Sequence, residues 1–347
     1  MKRNLVGLTL TQLEDLRDHL AAYDAIGQLR SIDASAVGAP DAATAIKRIQ
    51  DAMLSPAKDA EFLYSSVVIA LYGSLEIYVE QLAEQFVTDL SAHIDNYSAL
   101  PERLQANHRR LSGIIADSIE SSARVRPFTV AEIIANLHSC LSGAERYQVN
   151  AMAFRHHTSN VRLPIVEKIF TDAGALNIRD QLSHDMRFKG PAERIDPGTN
   201  DIFFRINDLA DRRNDVAHGD PPDLLSPSLL MDYIEIVERF CRTLFEAVLI
   251  SFVAYAREFV HLSIGSPYRV LSSNNVACFE LAVGSELRVN DSLVAYRNGE
   301  VYRSGPIESI QVNKVDQTYL RTTAPTRVGI RTNYKCQKTW RYSILPG

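Results

Sequence analysis

Asp211-Arg212-Arg213-Asn214-Asp215-Val216-Ala217-His218-Gly219-Asp220-Pro221-Pro222 is the stretch on which the reading of this chain turns. Immediately upstream, Ile202, Ile206 and Leu209 recur at helical spacing, and Val216 continues their stripe. Position 213 falls in the middle of that stripe, yet it is arginine. A guanidinium is rarely buried unless it is paired. The pattern therefore calls for an internal carboxylate or an anionic ligand, with Glu76 and Glu80 on a long upstream helix as candidate partners. His218 follows Asn214 by four residues and shares its face while the helix persists. Gly219, with Pro221-Pro222 behind it, stops the helix there.

Arginine and histidine on one short rigid segment suit cleavage beside a phosphate. The guanidinium would hold the phosphate and stabilise developing charge. The imidazole would move a proton to or from a ribose 2′-hydroxyl or the leaving oxygen. R-x-x-x-x-H alone is a weak motif. In its setting, Arg213-Asn214-x-x-Ala217-His218-Gly219 closes one helix just before a long amphipathic one, and this resembles the HEPN superfamily. In that family R-x4–6-H, often with a polar residue after the arginine, marks the ribonucleases. Leu75-Glu76-Ile77-Tyr78-Val79-Glu80 is similar to an early helix of the large HEPN toxins.

The resemblance covers roughly residues 58–262. It implies a homodimeric, metal-independent endoribonuclease with no cofactor, acting as a toxin or antiphage effector; the unpaired cysteines and the lack of a leader pattern separately point to the cytoplasm. Its site would form where two such segments meet across the dimer axis. Arg213 and His218 match the signature pair, Asn214 the polar position, and Glu76 the acid that supports the arginine. Arg212 reads as a phosphate contact or a solvated neighbour. RNA, with tRNA among the candidates, is the implied substrate. An antitoxin or regulatory partner is expected, and no membrane. Three other readings stay open. One is a salt-bridged arginine beside a capping histidine. Another is a non-catalytic RNA- or nucleotide-binding module with a partner- or ligand-sensing β-domain. The third is a structural dimeric scaffold.

Outward from this stretch the chain reads as mainly α: an N-terminal helical extension (1–57), a HEPN-like bundle (58–265) and a small all-β barrel or sandwich (267–347). Thr11-Gln12-Leu13-Glu14 has capping-box spacing. Leu71, Leu75, Tyr78, Leu82, Phe86 and Leu90 mark a helix over about 58–94. Weaker helices are expected over 101–123, 129–141 and 163–173, a loop over 174–199, and a long helix over 228–262. Beyond Gly265-Ser266-Pro267, short Val-, Tyr- and Thr-rich runs alternate with turns such as Ser273-Asn274-Asn275. Ser292–Tyr296 and Val301–Ser304 flank Asn298-Gly299 as a hairpin, with further strands at 307–312, 319–322, 328–331 and 339–344.

Charge divides along the same line. Residues 267–347 hold 11 of the 37 Lys/Arg and 6 of the 42 Asp/Glu, leaving 26 and 36 for residues 1–266. From Lys314 to Arg341, seven basic residues interleave with Tyr319, Tyr334, Trp340 and Tyr342. That pattern fits either nucleic-acid binding or a β-core with solvated charges. Cys140, Cys241, Cys278 and Cys336 form no C-x-x-C pair, which disfavours a disulfide scaffold or zinc ribbon. The most apolar windows, 62–75 and 244–256, read as core helices shorter than a membrane span. The basic start lacks an apolar leader pattern. His156-His157 and His184-Asp185 read as solvated. No P-loop, G-x-G-x-x-G or G-x-S-x-G sequence supports an NTPase, dinucleotide enzyme or α/β-hydrolase.

Overall fold

The computed structural model describes residues 1, 3–53, 55–118, 128–144, 146–219, 223–256, 262–271, 275–297 and 300–345. Helix α1 (Asn4–Gln28) starts seven residues before Thr11, so the expected capping box does not form. Thr11 Oγ1 instead donates to the Gly7 carbonyl at 3.2 Å inside the helix. The apolar register explains the earlier start: Val6, Leu13 and Leu20 lie seven apart and are all buried. After α2 (Pro40–Ala52) comes α3 (Pro56–His93), 38 residues long. By length and composition α3 could cross a membrane, contrary to the expectation of windows too short to span. Its apolar face is instead buried against protein, from Leu63 to Leu90, with α1 and the later helices Phe204–His218 and Pro227–Ala256 as neighbours.

Helices α4 (Glu102–Ser118) and α5 (Val130–Leu141) follow, residues 119–123 of the expected helix lying outside the described residues. A capping box does form at α5, where the Glu132 N–H donates to Thr129 Oγ1 at 3.1 Å and the Thr129 N–H to Glu132 Oε2 at 2.7 Å. Beyond α6 (Leu163–Asp172), the expected loop folds into α7 (Ile178–His184) and α8 (Met186–Ile195). Few residues of this polar stretch are buried, Leu182, Phe188 and Ala192 among them, and Asp185 caps α8 by accepting from the Arg187 N–H. α9 spans Phe204–His218 and α10 Pro227–Ala256. α10 is buried almost all round by α1, α3, α7, α8, α9 and the sheet. Its expected extension over 257–261 lies outside the described residues, and Leu262 already belongs to a strand.

The strands are β1 (Leu262–Gly265), β2 (Arg269–Val270), β3 (Val276–Leu281), β4 (Glu286–Arg288), β5 (Ser292–Arg297), β6 (Glu300–Val312), β7 (Val315–Gln317), β8 (Tyr319–Arg321), β9 (Thr326–Thr332) and β10 (Arg341–Leu345). They build one curled antiparallel sheet in the order β1-β10-β5-β6-β9-β3-β2, with β7 on β6 and a separate β4-β8 pair. β5 and β6 pair as a hairpin; the turns at Asn298-Gly299 and Ser273-Asn274 lie outside the described residues. The runs 301–304 and 307–312, expected as separate strands, form a single bent β6. Its first half pairs with β5 and its second with β9, so the sheet turns a corner at Gly305-Pro306. A Cβ at Gly305 would stand 2.2 Å from Asn333 Oδ1, which could swing away, and 2.8 Å from the buried Tyr334 ring, which could not without disturbing the core, so the position favours glycine.

Two apolar cores result, one helical and one inside the sheet, and Val294, Tyr296 and Leu345 of the sheet join the helical one.

Candidate functional site

α9 ends at Gly219, whose φ of 78° is the left-handed conformation that glycine adopts without steric cost. His218 is thus in the last turn and exposed. One turn back, Asn214 continues a face with Asn207 and Asp211. That face is tied to the segment 155–163, an irregular strap over 156–162 between a short 3-10 helix (Ala151–Arg155) and the first residue of α6. Asn160 Nδ2 donates to Asn214 Oδ1 at 2.6 Å, Arg162 pairs with Asp211, and the Leu163 N–H donates to Asn207 Oδ1 at 3.0 Å.

The same segment runs antiparallel along α3. Tyr72, Glu76, Glu80 and Glu84 stand four residues apart on one face of that helix, a ladder of one residue per turn. Arg155 pairs with Glu84, His157 Nε2 lies 2.9 Å from Glu80 Oε1 and 3.9 Å from Glu76 Oε1, and the Val161 N–H donates to the Tyr72 hydroxyl at 2.8 Å. The strap therefore fills the groove between α3 and α9 and links the ladder to the Arg213–His218 segment.

Arg213 is half-buried as its place in the stripe requires. Its guanidinium lies over the Tyr72 ring, 5.3 Å from the centroid, and Nη1 reaches Asn214 Oδ1 at 3.4 Å. Among the described residues it has no carboxylate within ion-pair distance. Glu76 is connected to it through Tyr72, whose hydroxyl lies 3.4 Å from Glu76 Oε1. Burial first, and the Glu76 charge as a lesser cause, raise the Tyr72 pKa above its ordinary value. Glu80, the other expected partner of the arginine, is 4% exposed and faces His157.

Arg212 departs from its reading as solvated neighbour or phosphate contact. It points away from Arg213 to donate to Asp208 at 2.6 Å and to the hydroxyls of Tyr233 and Tyr64, both at 3.2 Å. Burial opposes its charge, but these bonds outweigh burial and raise its pKa. Arg212 holds α9 to α3 and α10.

Arg213 and His218 do not converge within one chain. Five residues on an α-helix turn through about 500°, which leaves the two side chains roughly 140° apart. Asn214 and His218 share a face, with Arg213 beside it.

His157 was not legible as part of the site. It is nearly buried rather than solvated, and the Glu80 hydrogen bond, working against burial, raises its pKa above the ordinary value. His184 is exposed, as expected. In the sheet, Tyr334 and Tyr342 are core residues, 5% and 0% exposed, and do not form a binding surface. Tyr319 is exposed with the Arg288 guanidinium over its ring, and Trp340 packs edge-on against exposed Tyr302. All four cysteines are free.

The RiboL-PSP-HEPN family model matches residues 41–249, well over half of the chain and inclusive of α3, the strap, α9 and most of α10. No curated protein and no solved structure gives a match. The chain belongs to the RiboL-PSP-HEPN family of HEPN domains.

Proposed function

We propose that this protein is a metal-independent endoribonuclease that acts as a homodimer, with Arg213, Asn214 and His218 of both copies forming one centre. Membership in a HEPN family supports a nuclease or RNA-binding role in general. The observation that carries the finer reading is the state of Arg213. It is a half-buried cation without an ion-pair partner among the described residues, five residues before exposed His218 on the same helix. A half-buried guanidinium held by a ring face and one amide oxygen retains donors for a phosphate. The divergence of Arg213 from His218 within a chain favours a site completed by a second copy, since an isologous contact at this helix end would set both pairs around one axis.

In this reading Arg213 grips the scissile phosphate while one neutral imidazole takes the ribose 2′-hydroxyl proton. The 2′-oxygen attacks phosphorus, the bond to the 5′-oxygen breaks, and an imidazolium protonates that oxygen. The products are a 2′,3′-cyclic phosphate and a 5′-hydroxyl. A role as a toxin or antiphage effector in the cytoplasm follows from such an activity, and an antitoxin or other partner would restrain it.

Incubation of the purified chain with total tRNA and a single-stranded RNA in EDTA tests the proposal. Arg213→Ala and His218→Ala should each lower cleavage by about 10²-fold or more while the variants stay folded and dimeric. Stable RNA binding without strand breaks would favour a non-catalytic RNA-binding module. Undiminished cleavage by both variants would remove this site.

A further inference from the structure

We propose that the seam between the helical body and the sheet binds one phosphate dianion through Arg3, Arg239, Arg242 and Thr243. A cavity of about 200 Å³ lies where the start of α1, the middle of α10 and the corner of β6 at Pro306 come together. It is lined by four arginines, Arg3, Arg187, Arg239 and Arg242, with Thr243 and, among the described residues, a single acid, Glu246. Clefts that take drug-sized ligands hold about 300–1,000 Å³. This smaller one suits a free inorganic ion, or the terminal phosphate of a monoester whose remainder stays outside.

The donors around the cavity are unequally used. Glu246 is already answered, one oxygen by Arg3 Nη1 and the other by the Ser304 hydroxyl. Arg187 is spent on Asp185, the Ser304 carbonyl and Asn333 Oδ1, so it contributes charge rather than a free donor. In contrast, three buried polar atoms on the lining residues have no hydrogen-bond partner: Arg3 Nη2, Arg239 Nε and Thr243 Oγ1. Thr243 is 2% exposed. Arg239 makes no hydrogen bond with a described residue, Glu235 Oε1 lying 3.9 Å from its Nε. Arg242 gives only Nε to Glu238, at 2.9 Å, and keeps its two terminal nitrogens. The positive charge is in surplus as well. Glu235 serves Arg194 besides Arg239, and Glu238 serves Arg17 besides Arg242, so two carboxylates answer four guanidinium groups. Buried polar atoms without partners are rare and costly. Three of them on the residues of one cationic cavity call for an acceptor that is negatively charged. A water molecule would leave that charge unanswered, whereas a phosphate supplies several charged oxygens at once. Bound there, the anion would brace α1 and α10 at the sheet, and its site shares no residue with the Arg213–His218 segment.

The test uses the full chain in phosphate-free buffer at constant ionic strength. Calorimetric titration with inorganic phosphate should show one site per chain with a Kd of about 1 mM or tighter, accompanied by a raised melting temperature. Arg239→Gln and Arg242→Gln should each weaken binding about tenfold. Thr243→Val should also weaken it. Without phosphate the same variant should be no less stable than the wild type, since it deletes a hydroxyl that has no partner. Titration with AMP separates the two sources of the phosphate: comparable affinity assigns a monoester, and binding of inorganic phosphate alone assigns the free ion. No saturable binding of either up to about 10 mM, or an unchanged phosphate affinity in all three folded variants, would overturn the proposal. Should Thr243→Val fail to fold, the two half-exposed arginines decide it. Phosphate binding is read without RNA, so this result and the ribonuclease result stand or fall separately.

Discussion

Glu246 of α10 joins the helical body to the sheet, and Glu246→Gln should loosen that joint. The residue is 4% exposed. Its carboxylate takes Arg3 Nη1 at 2.5 Å and the Ser304 hydroxyl of β6 at 2.5 Å. Arg3 also reaches Ser292 of β5, and Arg187, itself paired with Asp185, donates to the Ser304 carbonyl. Burial opposes the charge on Glu246. Arg3 above all, then Arg187 and Ser304, outweigh burial and hold its pKa below the ordinary value. Breaking a buried ion pair from one side costs about 3–5 kcal/mol. The Gln oxygen still accepts from Ser304, so about 2–4 kcal/mol is expected, a factor of roughly 30 to 1,000 in the docking equilibrium. The only tryptophan, Trp340, reports on the sheet core, while far-ultraviolet circular dichroism reports mainly on the helices. In urea the wild-type transitions should coincide; in Glu246→Gln the Trp340 transition should come first. Coincident transitions at the wild-type midpoint would refute this account of the joint.

Three further outcomes follow from single contacts. His108 is fully buried, with Nε2 accepting from the Asn150 N–H at 3.0 Å, and burial pushes its pKa down to about 4. The unfolded chain binds that proton more readily, so stability should be full above about pH 6.5 and fall by roughly 3 kcal/mol toward pH 4; in His108→Gln urea midpoints this drop should shrink. Tyr72→Phe keeps the ring under Arg213 but leaves the buried Val161 N–H without its acceptor, so it should cost about 1–3 kcal/mol in urea unfolding. Gly219→Ala meets no atom within 4 Å, so its cost is backbone strain alone, about 1 kcal/mol, visible as earlier hydrogen exchange in the last turn of α9.

The long helices were legible because their apolar stripes repeat over many turns, as from Leu71 to Leu90 in α3. The segment from Arg213 to Gly219 was legible because an arginine broke such a stripe. Thr11-x-x-Glu14 misled because cap spacing does not fix where a helix starts; the buried Val6 does. α7 and α8 were hidden by composition, with Gly190 and Pro191 inside α8 and few buried residues holding the pair. The strap was hidden for a different reason. Val161 engages Tyr72 through its backbone, and an irregular chain has no period. The ladder Tyr72, Glu76, Glu80, Glu84 was present in the sequence at four-residue spacing, but acids so spaced ordinarily face water. Nor could alternation along a strand tell that Tyr334 and Tyr342 point inward while Tyr319 points out, since that depends on which strands pair.

The most direct test of the central claim is the chemistry of the RNA ends produced in EDTA by the pure protein. Mass spectrometry of the fragments should show 2′,3′-cyclic phosphate and 5′-hydroxyl ends that vanish with His218→Ala. Ends bearing 3′-hydroxyl and 5′-phosphate, or cyclic phosphate ends unaffected by His218→Ala, would contradict it.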